Sequence, residues 1–326
     1  MIEFTATEFV LLAWAIVVTG FLIDAKRELH MAKRFVQHFL EDDEDRERLI
    51  KDYKQHIAVW TGRKLDKRVS EEVDQAKSTK TRAGNYNKNL LAGSGKLEEI
   101  NKVASAIRTW HYTVTQPWGD NGDRVLNMAS FIDYKSRLSE FETQFATSVN
   151  NFLNEYDTLV AAAAFQLGDL FNREDYPHRD QIISKFGFRY AFTPLPMAGD
   201  FRVDIGEEGL REMQTHYEGV LSSRLNDAMR DAWDRLHGVL TAMSERLADT
   251  DEGKRKIFRD SLVDNAVELC QLLKHFNISG DLKLEAMRME LEDAMRHVDA
   301  QSLRESDMLR EQTKNKVDAM LDKFAF

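Results

Sequence analysis

Cysteine and proline are scarce in this chain, and each scarcity excludes something. The 326 residues include one cysteine, Cys270, so no disulfide can form within the chain. Cys270 stands in the apolar run Val267 to Leu273, where a free thiol behaves as a small core residue and fits a reducing cytoplasm. The four prolines (Pro117, Pro177, Pro194 and Pro196) all fall in the middle third. An internal proline removes a backbone donor and clashes with the preceding turn, so the flanking thirds are free to run as helices. No catalytic constellation names a reaction, and no internal repeat or low-complexity tract is present. A hydrophobic share of 43% nevertheless supports a sizeable core, which excludes disorder as the reason.

What is present is helical periodicity. Phe131, Tyr134, Leu138, Phe141, Phe145, Val149, Phe152, Tyr156 and Leu159 recur at steps of three and four, which puts them on one stripe of a helix. A second stripe runs through Leu210, Met213, Tyr217 and Val220, then Leu236, Leu240, Met243 and Leu247. The expected fold is mostly α, with long antiparallel coiled-coil-like helices over about 131–165 and 207–249 and one small β-hairpin. That hairpin is expected at 186–205, because Phe186–Phe192 and Phe201–Ile205 alternate with period two around Pro194, Pro196 and Gly199. The domain reading is an apolar helix and acidic linker over 1–48, a helical core with coiled-coil arms over 49–250, and charged C-terminal helices over 251–326. Within the core, Ile57–Trp60 reads as a short strand, Gly84–Gly95 as a loop with one helical turn, and Lys96 to about His111 as a helix. A further helix is expected from about Lys254 to Phe276, breaking at Asn277–Gly280.

The run from Phe9 to Ile23 carries no charge over 15 residues, and extends to Phe4 with Glu8 as its sole interruption. That length is at the border for spanning a bilayer, so an anchor and a buried core helix both fit. Lys26, Arg27, Lys33 and Arg34 follow the run with no Lys or Arg before it, and an anchor would leave the C-terminal bulk in the cytoplasm. Phe9, Leu12, Trp14, Val17 and Phe21 are the expected membrane contacts. A cleaved signal peptide is not expected, since the N-terminus offers Glu3 rather than a basic region.

A net charge of −10 excludes general coating of nucleic acid, so any such site must be local. One local candidate exists. Between residues 63 and 88, eight cations face four carboxylates, and Trp60, Tyr86, Trp110, Tyr112 and Trp118 flank them. Cations that follow a phosphate backbone, with aromatics that stack on bases, are what single-strand binding requires. Arg63, Lys64, Lys67, Arg68, Arg82 and Lys88 are the candidate phosphate contacts, with Tyr86 and Trp118 as candidate stacking groups. The competing reading is a solvated helix face beside core aromatics.

Two other clusters carry little. Ala92–Lys96 (AGSGK) is similar to a phosphate loop, but Leu90 stands where a glycine is needed and Leu97 where the magnesium-binding hydroxyl would be. Glu174, Asp175, His178 and Asp180 match no metal-ligand spacing. No cofactor and no metal is therefore expected.

The stretches Trp60–Arg68, Gly84–Leu91, Arg108–Tyr112, Pro117-Trp118 and Pro196–Arg202 together resemble an uncharacterised protein family of tailed bacteriophages and prophages, over about Leu49 to Leu247. The resemblance implies a helical, phage-encoded protein of the host cytoplasm with no assigned activity. The first 48 residues resemble a small phage membrane protein joined in front, which would tether the chain to the inner membrane. The leading expectation is a non-enzymatic, oligomeric helical scaffold that contacts single-stranded nucleic acid in replication or recombination. The alternative is a membrane-tethered coiled-coil adaptor for a phage or host protein machine, and a third reading is an enzyme whose site is not visible in the linear sequence.

Overall fold

The computed structural model describes residues 49–52, 56–119, 122–194, 206–248 and 256–324. The chain is mostly helical with a few small strand pairs. In chain order the strands are β1 (Leu49–Asp52), β2 (His56–Ala58), β3 (Arg63–Leu65), β4 (Asn87–Asn89), β5 (Gln116–Pro117), β6 (Arg124–Asn127), β7 (Gly187–Arg189) and β8 (Phe192–Pro194). The α-helices are α1 (Lys67–Ala76), α2 (Lys96–Val114), α3 (Phe131–Leu167), α4 (Arg179–Ile183), α5 (Gly206–Leu247), α6 (Ser261–Phe276), α7 (Leu282–Met295), α8 (Ala300–Glu305) and α9 (Asp307–Leu321). They form two compact units that interleave along the chain: the described residues within 52–115 and 130–193 make one, and those within 49–51, 116–129 and 194–324 the other.

In the unit built from 52–115 and 130–193, α3 supplies the core. Seven of its stripe residues, from Tyr134 to Tyr156, are buried. Five of them, Phe141, Phe145, Val149, Phe152 and Tyr156, share a cluster with Leu97, Ile100, Ala104 and Ile107 of α2 and with Ile57 and Trp60, and Phe186 and Phe188 pack against it. Trp60 meets Phe152 and Tyr156 at ring separations of 6.3 and 6.1 Å, within the range where tilted aromatic pairs attract. The buried hydroxyls are satisfied: Tyr156 donates to the Pro177 carbonyl at 2.9 Å and Tyr176 to the Leu90 carbonyl at 2.6 Å. Burial pushes both phenols up to about 12. Gly168, at φ +51°, follows the last residue of α3, a backbone conformation that glycine adopts without steric cost.

Two expectations change here. The strand Gly187–Arg189 exists, but it pairs antiparallel with β2, His56 opposite Arg189 and Ala58 opposite Gly187. The hairpin partner expected at Phe201–Ile205 lies outside the described residues. The long helices also fall in different units, and the aromatic stripe of α3 is covered by α2 and short strands of its own unit. An apolar stripe specifies that something must cover it, not which element does. The Gly84–Gly95 loop likewise contains a strand, β4, antiparallel to β3.

In the other unit, Leu236, Leu240, Met243 and Leu247 of α5 are buried with α6, α7, α8 and α9 in one cluster. The charged C-terminal helices thus share a core with the second half of α5. Asp281, Asp299 and Ser306 cap α7, α8 and α9 through their side-chain oxygens, satisfying amide donors that a helix start otherwise leaves open. Cys270 lies in this core, and burial raises its thiol to about 11. Nearer its start, α5 shares a smaller cluster with Trp118 and Val125 through Leu221, Leu225 and Ala228. The Phe9–Ile23 run, with Phe9, Leu12, Trp14, Val17 and Phe21, lies outside the described residues. Among those described, no helix is long and apolar enough to cross a membrane.

Candidate nucleic-acid interface

The basic segment folds as a strand, a helix and a returning strand: β3, α1 and β4. Asp66 starts α1, its carboxylate accepting from the Val69 amide at 3.2 Å. The loop after α1 comes back alongside, with the Asp66 amide donating to the Tyr86 carbonyl at 2.9 Å and the Tyr86 amide to Ser70 Oγ at 2.9 Å. In the β3–β4 ladder Lys64 stands opposite Lys88. Two like charges at that position require a counter-charge, and Asp175 lies 4.0 Å from Lys64 and 2.8 Å from Lys88.

Lys88 is a correction to the sequence reading. The residue is only 6% exposed, with Asp66 at 3.3 Å, Asp175 at 2.8 Å and the Leu170 carbonyl accepting at 2.7 Å. An ammonium with all three protons engaged inside the fold has none left for a phosphate. Burial alone would lower its pKa, but the hydrogen bonds and charges of Asp175 and Asp66 outweigh that and raise it. The Asp66 carboxyl is lowered, first by the Val69 amide and also by Lys88. Each shift sets one edge of a pH window. The contribution of Lys88 is complete below the ordinary lysine value near 10.4 and is lost as pH rises through its raised value. That of Asp66 is complete above the ordinary value near 3.9 and is lost as pH falls through its lowered one. Lys88→Met takes the shared ammonium from Asp66 and Asp175, leaving Asp175 only the more distant Lys64 at 4.0 Å, and is expected to cost about 3 kcal/mol at pH 7. Urea melts at pH 7 and pH 11 check it: the gap between variant and parent should narrow at the higher pH.

Trp118 is the second correction. It is 1% exposed and packed among Val125, Leu221, Leu225 and Ala228 in the other unit, so its ring has no open face for a base. Trp60 is buried against α3, and Trp110 stacks on Tyr134 at 4.7 Å. Apolar area removed from water outweighs any other use for such rings.

The remaining cations are exposed. Arg63 on β3 and Lys67 at the first position of α1 have no ion-pair partner among the described residues, and neither do Lys77 and Lys80 beyond its end. Lys64 is 4.0 Å from Asp175, and Arg68 has Glu72 at 3.7 Å and donates to the Asp169 carbonyl at 3.3 Å. Arg82 is held between Glu71 and Asp74 at 3.3 and 3.2 Å, which offsets its charge locally. Tyr86 is 40% exposed beside the start of α1. Arg63, Lys64, Lys67 and Arg68 therefore lie together on one strand and helix start, with Tyr86 adjoining them.

A further aromatic, not singled out in the sequence, ends in the same neighbourhood. Phe165 is 97% exposed near the end of α3, four residues before the carbonyl that holds Arg68. A signal for it did exist: the buried positions Tyr156, Val160 and Ala163 leave Phe165 off the stripe, so its ring had to point outward.

The two weaker clusters are otherwise engaged. Lys96 pairs with Glu155 at 3.0 Å, and that hydrogen bond raises its pKa. Asp175 is committed to Lys88, and among the described residues no group of three or more His, Cys, Asp or Glu side chains is placed to hold a metal ion. No protein family, curated protein or solved structure matches the chain.

Proposed function

We propose that this chain is a non-enzymatic helical scaffold that contacts single-stranded nucleic acid through the β3–α1 surface. Arg63, Lys64, Lys67 and Arg68 would meet phosphates, and Tyr86 would stack on a base. The observation that carries the reading is the pair Arg63 and Lys67, exposed and without a carboxylate partner among the described residues, in a protein of net charge −10. A cation that no carboxylate holds can neutralise a phosphate, and the counterions thereby released from the nucleic-acid backbone favour binding. In the same reading the setting is a phage replication or recombination complex in the host cytoplasm. Copies of the chain would associate through coiled-coil pairing of the long helices, for which the half-buried Leu210, Met213 and Val220 of α5 are available.

Neutralising Arg63, Lys64, Lys67 and Arg68 together is expected to weaken binding to single strands of every sequence alike. The salt dependence should flatten, because each lost phosphate contact removes about 0.7 from the logarithmic slope. Fluorescence anisotropy across a salt series on the full chain reads both effects. If micromolar protein binds no single strand at low salt, the proposal fails and the adaptor reading, tethered by the Phe9–Ile23 run, takes its place.

A further inference from the structure

A single strand offers the flat faces of its bases as well as its phosphates, and an exposed aromatic ring is the protein group that fits them. Among the described residues no other large hydrophobic side chain is as open as Phe165, at 97% exposed. Ala161 and Ala162, about one turn earlier, are exposed too and are small enough to leave the approach to the ring clear. Asp169 follows four residues on, just past the Gly168 turn that ends α3, and its carbonyl accepts from Arg68 at 3.3 Å. The basic start of α1 is thereby docked beside the end of α3 that carries the ring. The local carboxylates favour a base over a phosphate at this point. Asp169 is exposed, and Asp157, two turns before, has Arg179 at 3.8 Å as its one ion-pair partner among the described residues.

We propose that Phe165 stacks on an unpaired base of the same single strand whose phosphates lie on Arg63, Lys64, Lys67 and Arg68. This rests on the single-strand reading of that surface and adds its main stacking residue, in the place that Trp118 cannot fill. Bases inside a duplex are already stacked, so Phe165 makes the site select single strands over duplexes.

The test compares the parent chain with Phe165→Ala and Phe165→Trp, using a fluorescein-labelled oligothymidine and a duplex of equal length in anisotropy titrations. Phe165→Ala should weaken single-strand binding about five- to 150-fold, leave the salt slope unchanged and leave any duplex binding as it was. Phe165→Trp should restore or tighten it. The residue is exposed, so both variants should melt like the parent. If the parent binds single strands and Phe165→Ala binds them equally, this inference is overturned while the reading beneath it stands. A parent that binds no single strand overturns both. Light scattering separates the remaining case: a mass that falls in Phe165→Ala would make the ring a contact between copies, and the inference would be wrong.

Discussion

Glutamate in place of Phe145 is expected to abolish the folding of the unit formed by residues 52–115 and 130–193. Phe145 lies midway along the buried stripe of α3, 4% exposed, with the Phe188 ring 6.1 Å away and aromatic and aliphatic side chains of the same cluster around it. A carboxylate there has no cation to meet, and a buried unpaired charge costs several kcal/mol, a large part of what holds a domain together. The same substitution carries its own control. A buried Glu has a raised pKa, so the penalty is full above that value and disappears below the ordinary glutamate value, where the side chain is neutral in both states. Circular dichroism melts at pH 7 and near pH 4 should show the variant unfolded at the first and partly recovered at the second. A variant that melts like the parent at pH 7 would mean that the stripe is not buried.

Arg310→Met tests the other unit and is expected to remove about 4 kcal/mol, or roughly 10 °C of melting temperature. Arg310 is 5% exposed on α9. Its guanidinium donates to the carbonyls of Leu247 at 2.9 Å, Arg246 at 3.0 Å and Lys256 at 3.1 Å, and lies 5.5 Å from the Phe258 ring centre. The last carbonyls of a helix have no intrahelical donor and carry the negative end of its dipole, so a cation with a planar fork of donors suits the end of α5. Methionine keeps the volume and removes the donors. Lysine keeps the charge but cannot reach three carbonyls in one plane, and Arg310→Lys should recover only part of the loss. Differential scanning calorimetry of the three proteins gives the order; a methionine variant within 1 kcal/mol of the parent would show that these bonds contribute little.

Both predictions rest on residues whose roles were unequally visible. The stripe of α3 could be read from spacing alone, because helix geometry ties a three–four repeat to one face whatever lies opposite. The start of α2 and the break at Asn277–Gly280 are local in the same sense, since turn chemistry and periodicity act over a few residues. The exposed cations Arg63, Lys64, Lys67 and Arg68 were legible as a charge excess within a few residues. Arg310 was not, because the carbonyls it serves lie 54 to 64 positions away in sequence, and nothing near it announces them.

The same division runs through the candidate site. The amino-acid sequence by itself determined that the chain is mostly helical, where its long helices run and where cations gather, because these depend on backbone geometry and on neighbours within about two helical turns. Only the tertiary structure decided which charges and rings are available. Lys88 was drawn inward by Asp66 and by Asp175, the latter 87 residues distant, while Trp118 was enclosed by α5 and Phe165 was left outside. Whether a side chain serves packing or presents itself to a ligand depends on what long-range folding places over it, and that information lies in contacts between segments rather than in any one of them.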